Sequence, residues 1–107
     1  MCGIAGIFAL GATPVPEESL PLMNAAMVHR GPDEEGLFYD GEVGLAMRRL
    51  SIIGLGNGHQ PIFNEDRTVA LIMNGEIYNY FDLKRRLPDA GHRFSTDSDT
   101  EVAVHRY

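Results

Sequence analysis

The chain opens on a stretch, residues 2–10, in which nearly every side chain is apolar or small. Read as a strand, it puts Cys2, Ile4, Gly6 and Phe8 on one face and Gly3, Ala5, Ile7 and Ala9 on the other. Both faces therefore expect cover. Pro14 and Pro16 punctuate a loop. A helical spacing follows over residues 19–28, where Leu20, Met23 and Met27 form one stripe. Pro21 is tolerated there because it falls in the first turn. The stripe reads as core. His29-Arg30-Gly31-Pro32-Asp33 carries the turn residues that end the helix.

The period then changes. Residues 36–39 and 43–49 flank Asp40-Gly41, a hairpin signal. On the second strand Val43, Leu45, Met47 and Arg49 share a face, which leaves Arg49 at the strand end on an otherwise apolar side. Residues 61–64 and 68–73 predict a second hairpin around Glu65-Asp66. Its run Val69-Ala70-Leu71-Ile72-Met73 is apolar throughout, as in a strand covered on both sides. Residues 79–87 predict a short helix with Tyr80, Leu83 and Leu87 on its stripe. Pro88 stops it, in the turn Pro88-Asp89-Ala90-Gly91. Residues 93–96 predict one more strand. Ser98-Asp99-Thr100-Glu101 has capping-box spacing, with Glu101 the partner of Ser98. A last helix is expected from there to Tyr107, where the pattern stops without a cap, as in a domain cut short. Strands and helices mix along the chain in an α/β (α+β) pattern.

Composition narrows the function classes. A chain of 107 residues suits one domain or part of one, and 44% hydrophobic with 22% charged residues is ordinary for a soluble protein. The single cysteine excludes an internal disulfide framework and fits a reducing, cytoplasmic setting. A net charge of −6 argues against nucleic-acid binding, and Lys84-Arg85-Arg86 reads as the solvated end of a helix. No apolar stretch approaches the length of a membrane span. The first residues lack the basic region and long apolar core of a secretory signal, whose cleavage would also remove Cys2.

Cys2 follows Met1 directly. Because residue 2 is small, removal of Met1 is expected, and the mature chain would begin with a cysteine carrying its own α-amine. A thiol titrates near 8.5 and an α-amine at about 7.7–8.0, so at neutral pH some of the amine is uncharged and can accept the thiol proton. That is a nucleophile and base in one residue. The plainer reading makes Cys2 a small buried hydrophobe. Asn74-Gly75, directly after the apolar run, pairs a side-chain amide with a backbone N–H, the composition of an oxyanion hole; a plain turn has the same letters. Arg49 could be a fork for a carboxylate or a strand-end arginine whose head reaches solvent. Asp99 could take an ammonium or simply favour the helix dipole.

Other motifs are weaker. Gly54-Leu55-Gly56-Asn57-Gly58 lacks the lysine and hydroxyl of a phosphate loop. Asp97, Asp99 and Glu101 alternate like calcium ligands without the rest of that loop. His29, His59, His92 and His105 show no metal-ligand spacing, and no metal site is expected.

Taken in order, the motifs resemble a family. Met1-Cys2-Gly3-Ile4-Ala5-Gly6-Ile7-Phe8, His29-Arg30-Gly31-Pro32-Asp33, Arg49-Leu50-Ser51-Ile52-Ile53, Gln60-Pro61, Asn74-Gly75-Glu76-Ile77-Tyr78-Asn79 and Ser98-Asp99-Thr100-Glu101 resemble the class II glutamine amidotransferases. Within these they are most similar to the glutaminase domain of asparagine synthetase-type enzymes. The likeness covers essentially residues 1–107, which are read as the N-terminal part of that domain.

The resemblance implies an N-terminal-nucleophile hydrolase fold, a four-layer α/β/β/α sandwich incomplete at its C-terminus. It implies hydrolysis of the side-chain amide of L-glutamine to glutamate and ammonia. A C-terminal synthetase domain, outside this chain, would use ATP and magnesium to activate aspartate as the ammonia acceptor. Carried over by position, Cys2 is the nucleophile, and Asn74 with the Gly75 N–H holds the oxyanion. Arg49 takes the glutamine α-carboxylate, with Leu50, Ser51, Ile52 and Ile53 beside it. Asp99, Glu76 and Gly75 take the α-ammonium, and Arg30 supports the site. Met47 stands where many relatives have histidine. No cofactor is expected within the chain itself, and a homodimer is compatible with the resemblance. Two alternatives remain: a non-catalytic module that keeps the glutamine pocket, and the front end of a different, tailoring synthetase.

Overall fold

The computed structural model describes residues 1–11, 13–51, 57–87 and 90–107. The central strand is β3 (Val43–Arg49), flanked by β1 (Gly3–Phe8) and β2 (Glu34–Asp40) in an antiparallel sheet of order β1-β3-β2. Gly3 pairs with Arg48 and Glu34 with Arg49. The expected hairpin is present, its loop being Gly41-Glu42, since Asp40 itself pairs with Val43.

Antiparallel partners share a face. Gly3, Ala5 and Ile7 therefore lie with Gly44, Ala46 and Arg48, and the helix α1 (Ser19–Ala26) packs on the sheet. Leu20 is fully buried, and it and Val15 lie over Gly44. The helix is two residues shorter than its pattern, and its stripe differs. Met23 is partly exposed, and Asn24 is buried in its place. The reason is polar. Asn24 Nδ2 donates to Glu35 Oε2 at 3.1 Å, and the Asn24 carbonyl accepts from Arg48 Nε at 3.3 Å.

The opposite face carries Ile4, Phe8, Leu45, Met47, Phe38 and Gly36. Met47 is buried, and Phe38 meets Phe63 edge-on with ring centroids 5.5 Å apart. Gly36 lies so near Gln60 that a Cβ there would overlap the Gln60 carbonyl oxygen. Cover does not extend to β1, where Ile4 is 45% and Phe8 64% exposed. The expected double cover of this strand is thus found on one side only. A similar close approach occurs at Gly31, where a Cβ would run into the Arg48–Arg49 peptide.

The second sheet is smaller than its pattern. β4 (Ile62–Phe63) pairs with β5 (Ala70–Leu71), Ile62 opposite Leu71. Side chains close the turn: Asn64 Oδ1 accepts from Val69 N at 2.9 Å, and Asp66 Oδ1 accepts from the Thr68 hydroxyl at 2.6 Å. The ladder ends early because the Met73 N–H goes to Gln60 Oε1, 2.6 Å away. α2 (Tyr80–Arg86) holds no buried residue, although Leu87 just beyond it is buried. Pro88 and Asp89, expected to stop that helix, lie outside the described residues.

α3 (Asp99–Arg106) packs against α2, β4 and β5 and buries Thr100, Glu101, Val102, Val104 and His105. Ser98 Oγ accepts from Thr100 N, as a cap should. Glu101 does not complete the capping box. Its carboxylate accepts from the N–H and hydroxyl of both Ser95 and Thr96, at 2.6–2.9 Å. Residues 93–96 consequently form no strand, because the N–H groups of Ser95 and Thr96 already have a carboxylate. Burial alone would raise the Glu101 pKa; these bonds outweigh it and hold it below the ordinary 4.5. No helix among the described residues is long and apolar enough to cross a membrane.

Candidate active site

The first group of site residues is built on the end of β3. Cys2 stands one residue before β1, so the Gly3–Arg48 register sets it beside Arg49 and Leu50. The Leu50 N–H points at Cys2 Sγ at 3.4 Å, and the Leu50 carbonyl lies 3.9 Å from the same sulfur. Cys2 is half-buried, not sealed in the core as a small hydrophobe would be. Arg30 Nε donates to the Cys2 carbonyl at 3.1 Å, which positions the main chain of the cysteine.

The turn after α1 braces the same strand end. Asp33 N donates to the Arg49 carbonyl at 3.1 Å, and Asp33 Oδ2 accepts from Ser51 N at 2.8 Å. Arg49 does not send its head into solvent. Its side chain is 11% exposed, and Nη1 lies 3.3 Å from Glu34 Oε2. His59 Nδ1 is 3.0 Å from that oxygen, the Ser51 hydroxyl is 3.5 Å from Glu34 Oε1, and Gly58 packs on the guanidinium. Ile52 and Ile53, named with Leu50 and Ser51 by sequence, lie outside the described residues.

The second group follows β5. Asn74, Gly75 and Glu76 are exposed on the loop into α2. Asp99 Oδ2, in the first turn of α3, accepts from Ile77 N at 2.7 Å and ties that loop down. Gln60 works from the other side: Oε1 takes Met73 N, and Nε2 donates to Thr100 Oγ1 at 3.4 Å. The residues just before Asn74 are therefore pinned to α3 through one side chain. Among the described residues, Cys2 Sγ bonds to Leu50 and not to Asn74.

Sequence reasoning missed Glu34 and the roles of Asp33 and Gln60. Glu34 was findable as the acid opposite Arg49 once the hairpin register is known. Gln60 and Asp33 sit in motifs that the sequence singled out, but nothing in their spacing names a partner.

A half-buried thiol thus carries a main-chain N–H on its sulfur, at the same strand end as the largely covered Arg49. All of residues 1–107 match the family model described as a glutamine amidotransferase domain. The chain belongs to the glutamine amidotransferase family. Its relatives include two proteins of Bacillus subtilis, asparagine synthetase [glutamine-hydrolyzing] 1 at 50% identity and asparagine synthetase [glutamine-hydrolyzing] 2 at 47%. Asparagine synthetase [glutamine-hydrolyzing] 1 of Arabidopsis thaliana is 41% identical. Each alignment covers 100% of this amidotransferase chain but only 17%, 14% and 18% of the relative. The chain thus spans less than a fifth of the length of these relatives.

Proposed function

We propose that the chain hydrolyses the side-chain amide of L-glutamine, as the ammonia-supplying part of a glutamine-dependent asparagine synthetase. Cys2 Sγ beside the Leu50 N–H and Arg49 is the observation that carries this reading. It supports a nucleophile that stands near a largely covered arginine able to take the glutamine α-carboxylate. Once Met1, which is exposed, is removed, the Cys2 α-amine takes the thiol proton. The sulfur bonds to the amide carbon, and the oxyanion that forms is held by Asn74 and the Gly75 N–H. The carbon–nitrogen bond then breaks, the amine returns its proton, and ammonia leaves. Water cleaves the remaining thioester to glutamate.

Arg49 and Asp99 act as the ends of a clamp for the zwitterion, with Glu76 and Gly75 assisting Asp99. Leu50 to Ile53 lie beside the carboxylate, and Arg30 holds the Cys2 backbone. Asp99 already receives Ile77 N, so loop and ligand would share one carboxylate.

Ammonia would pass to aspartate activated by ATP and magnesium in a C-terminal synthetase region. Residues 54–58 carry no lysine behind their glycines and so do not make a phosphate loop, and no step is routed through a nucleoside triphosphate. The proposed setting is the cytoplasm, in keeping with one free cysteine. The proposed architecture is the four-layer α/β/β/α sandwich. Support comes from α1 on one face of the first sheet, Phe63 on the other, and α3 against β4 and β5.

The test is glutamate release from glutamine by the purified chain, alongside intact mass and a Cys2→Ala variant. Release by protein lacking Met1, abolished in Cys2→Ala, is expected. Glutamine binding without release would favour a non-catalytic module, and activity with Met1 retained would overturn the α-amine as base.

A further inference from the structure

Far from Cys2 in sequence, the structure gathers Glu65, His92 and His105, whose ligand-type atoms all lie within 4.8 Å of one another. They come from three segments: the β4–β5 turn, the stretch after α2, and α3. Glu65 Oε1 is 3.0 Å from His92 Nδ1 and 3.3 Å from His105 Nδ1. The two imidazoles are tilted by 44° with centroids 5.1 Å apart.

His105 is the decisive member. Its side chain is only 1% exposed, and its buried Nδ1 has no hydrogen-bond partner of acceptable geometry. A buried imidazole nitrogen in that state is costly unless something else occupies its lone pair. Its other nitrogen, Nε2, lies 3.4 Å from Glu101 Oε1. A carboxylate behind the second ring nitrogen is the outer partner that orients metal-bound histidines. Glu65 is oriented too, since its Oε1 also accepts from Arg93 N at 2.8 Å.

Donors about 2.0–2.1 Å from a tetrahedral ion stand about 3.3–3.4 Å from each other. The Glu65–His105 and Glu65–His92 separations lie at or just below that edge length. Two imidazole nitrogens and one carboxylate suit a borderline ion such as Zn²⁺; Mg²⁺ and Ca²⁺ prefer all-oxygen shells. Glu65 and His92 are partly exposed, which gives an entry path and room for water as the fourth ligand.

We infer that Glu65, His92 and His105 form a zinc-type site that cross-links the β4–β5 turn to α3. Its position is structural: α3 also carries Asp99 and Thr100, which hold the loop before and after Asn74 through Ile77 N and Gln60. The inference is independent of the chemistry at Cys2.

The test is zinc content by mass spectrometry after loading the purified chain with one equivalent of Zn²⁺ and gel filtration. About one zinc per chain is expected for wild type and for His29→Ala, an exposed histidine outside the cluster. His92→Ala and Glu65→Gln should each retain less than about a tenth. Circular dichroism without metal confirms that they fold, and two variants are used so that one folding failure leaves the other informative. Co²⁺ should give wild type the intense visible bands of a four-coordinate ion, and Mg²⁺ should not compete. No zinc retained by wild type would overturn the inference and leave a His–Glu ion-pair cluster. So would retention unchanged in both folded variants.

Discussion

The two halves of the molecule are held together by different forces. Around β3, side chains such as Leu20, Val15, Ala46 and Met47 are buried against a regular antiparallel ladder. Around α3, apolar burial continues at Val102 and Val104, but the backbone is gathered by side-chain oxygens. Glu101 holds Ser95 and Thr96, Asp99 holds Ile77, Gln60 holds Met73, and Asn64 closes the β4–β5 turn. The first half carries Cys2, the proposed nucleophile, beside a strand end; the second presents Asn74 and Gly75 on a loop positioned by carboxylates and amides. The difference teaches that the proposed site would join an apolar scaffold to a polar one, and the two should fail under different perturbations.

Deleting core atoms should damage the first half most. Met47→Ala leaves a cavity in the middle strand and should cost about 2–5 kcal/mol, read as a lowered denaturant midpoint. A cost below about 1 kcal/mol would mean that the face under Met47 is not a packed core. Asn74→Ala should separate the halves by function. Asn74 is exposed, so stability should hold, while glutamine turnover should fall about 10²–10³-fold with little change in affinity. Unchanged turnover would remove Asn74 from the oxyanion hole.

The smallest effect belongs to the polar scaffold. Glu101→Gln keeps shape but replaces one acceptor oxygen by a donor facing Ser95 or Thr96, at a cost of about 1.5–3 kcal/mol. It should also alter the acid limb. Glu101 is held below its ordinary 4.5, and Glu65 is lowered to about 2 by its own N–H and that of Arg93, with His92 and His105 assisting. Both carboxylates take up protons more readily in the unfolded chain. Their contribution is therefore complete above about pH 4.5 and fades as pH falls towards the folded values. Denaturation midpoints between pH 7 and pH 3 should decline for wild type and decline less for Glu101→Gln. Parallel curves would show that the carboxylate is not a source of the acid sensitivity.

What was legible in the sequence follows the same division. β1, the β2–β3 hairpin and α1 were readable because hydrophobic periodicity reports burial against a regular neighbour. Even there Met23 and Asn24 exchanged roles, because an acid and an arginine on the sheet offered Asn24 partners that no periodicity encodes. Around α3 the reading was poorer. Residues 93–96 have strand-like composition, yet Glu101 takes their N–H groups, and the capping box is only half formed for the same reason. Glu65, His92 and His105 are separated by 27 and 13 positions, so no spacing rule could pair them. Motif order named Cys2, Arg49, Asn74 and Asp99 as candidates; it could not reveal that Glu34 sits on Arg49.

The tight approaches at Gly31 and Gly36 have a consequence for how variant libraries of this chain would read. At both positions any side chain meets backbone atoms that have nowhere to go: the Arg48–Arg49 peptide in one case and the Gln60 carbonyl in the other. A saturation scan scored only by glutamine use would rank these two glycines beside Cys2, although neither touches a reacting atom. Scoring the same library for abundance as well would split them apart, with the glycines depleted in both screens and Cys2 variants depleted in one.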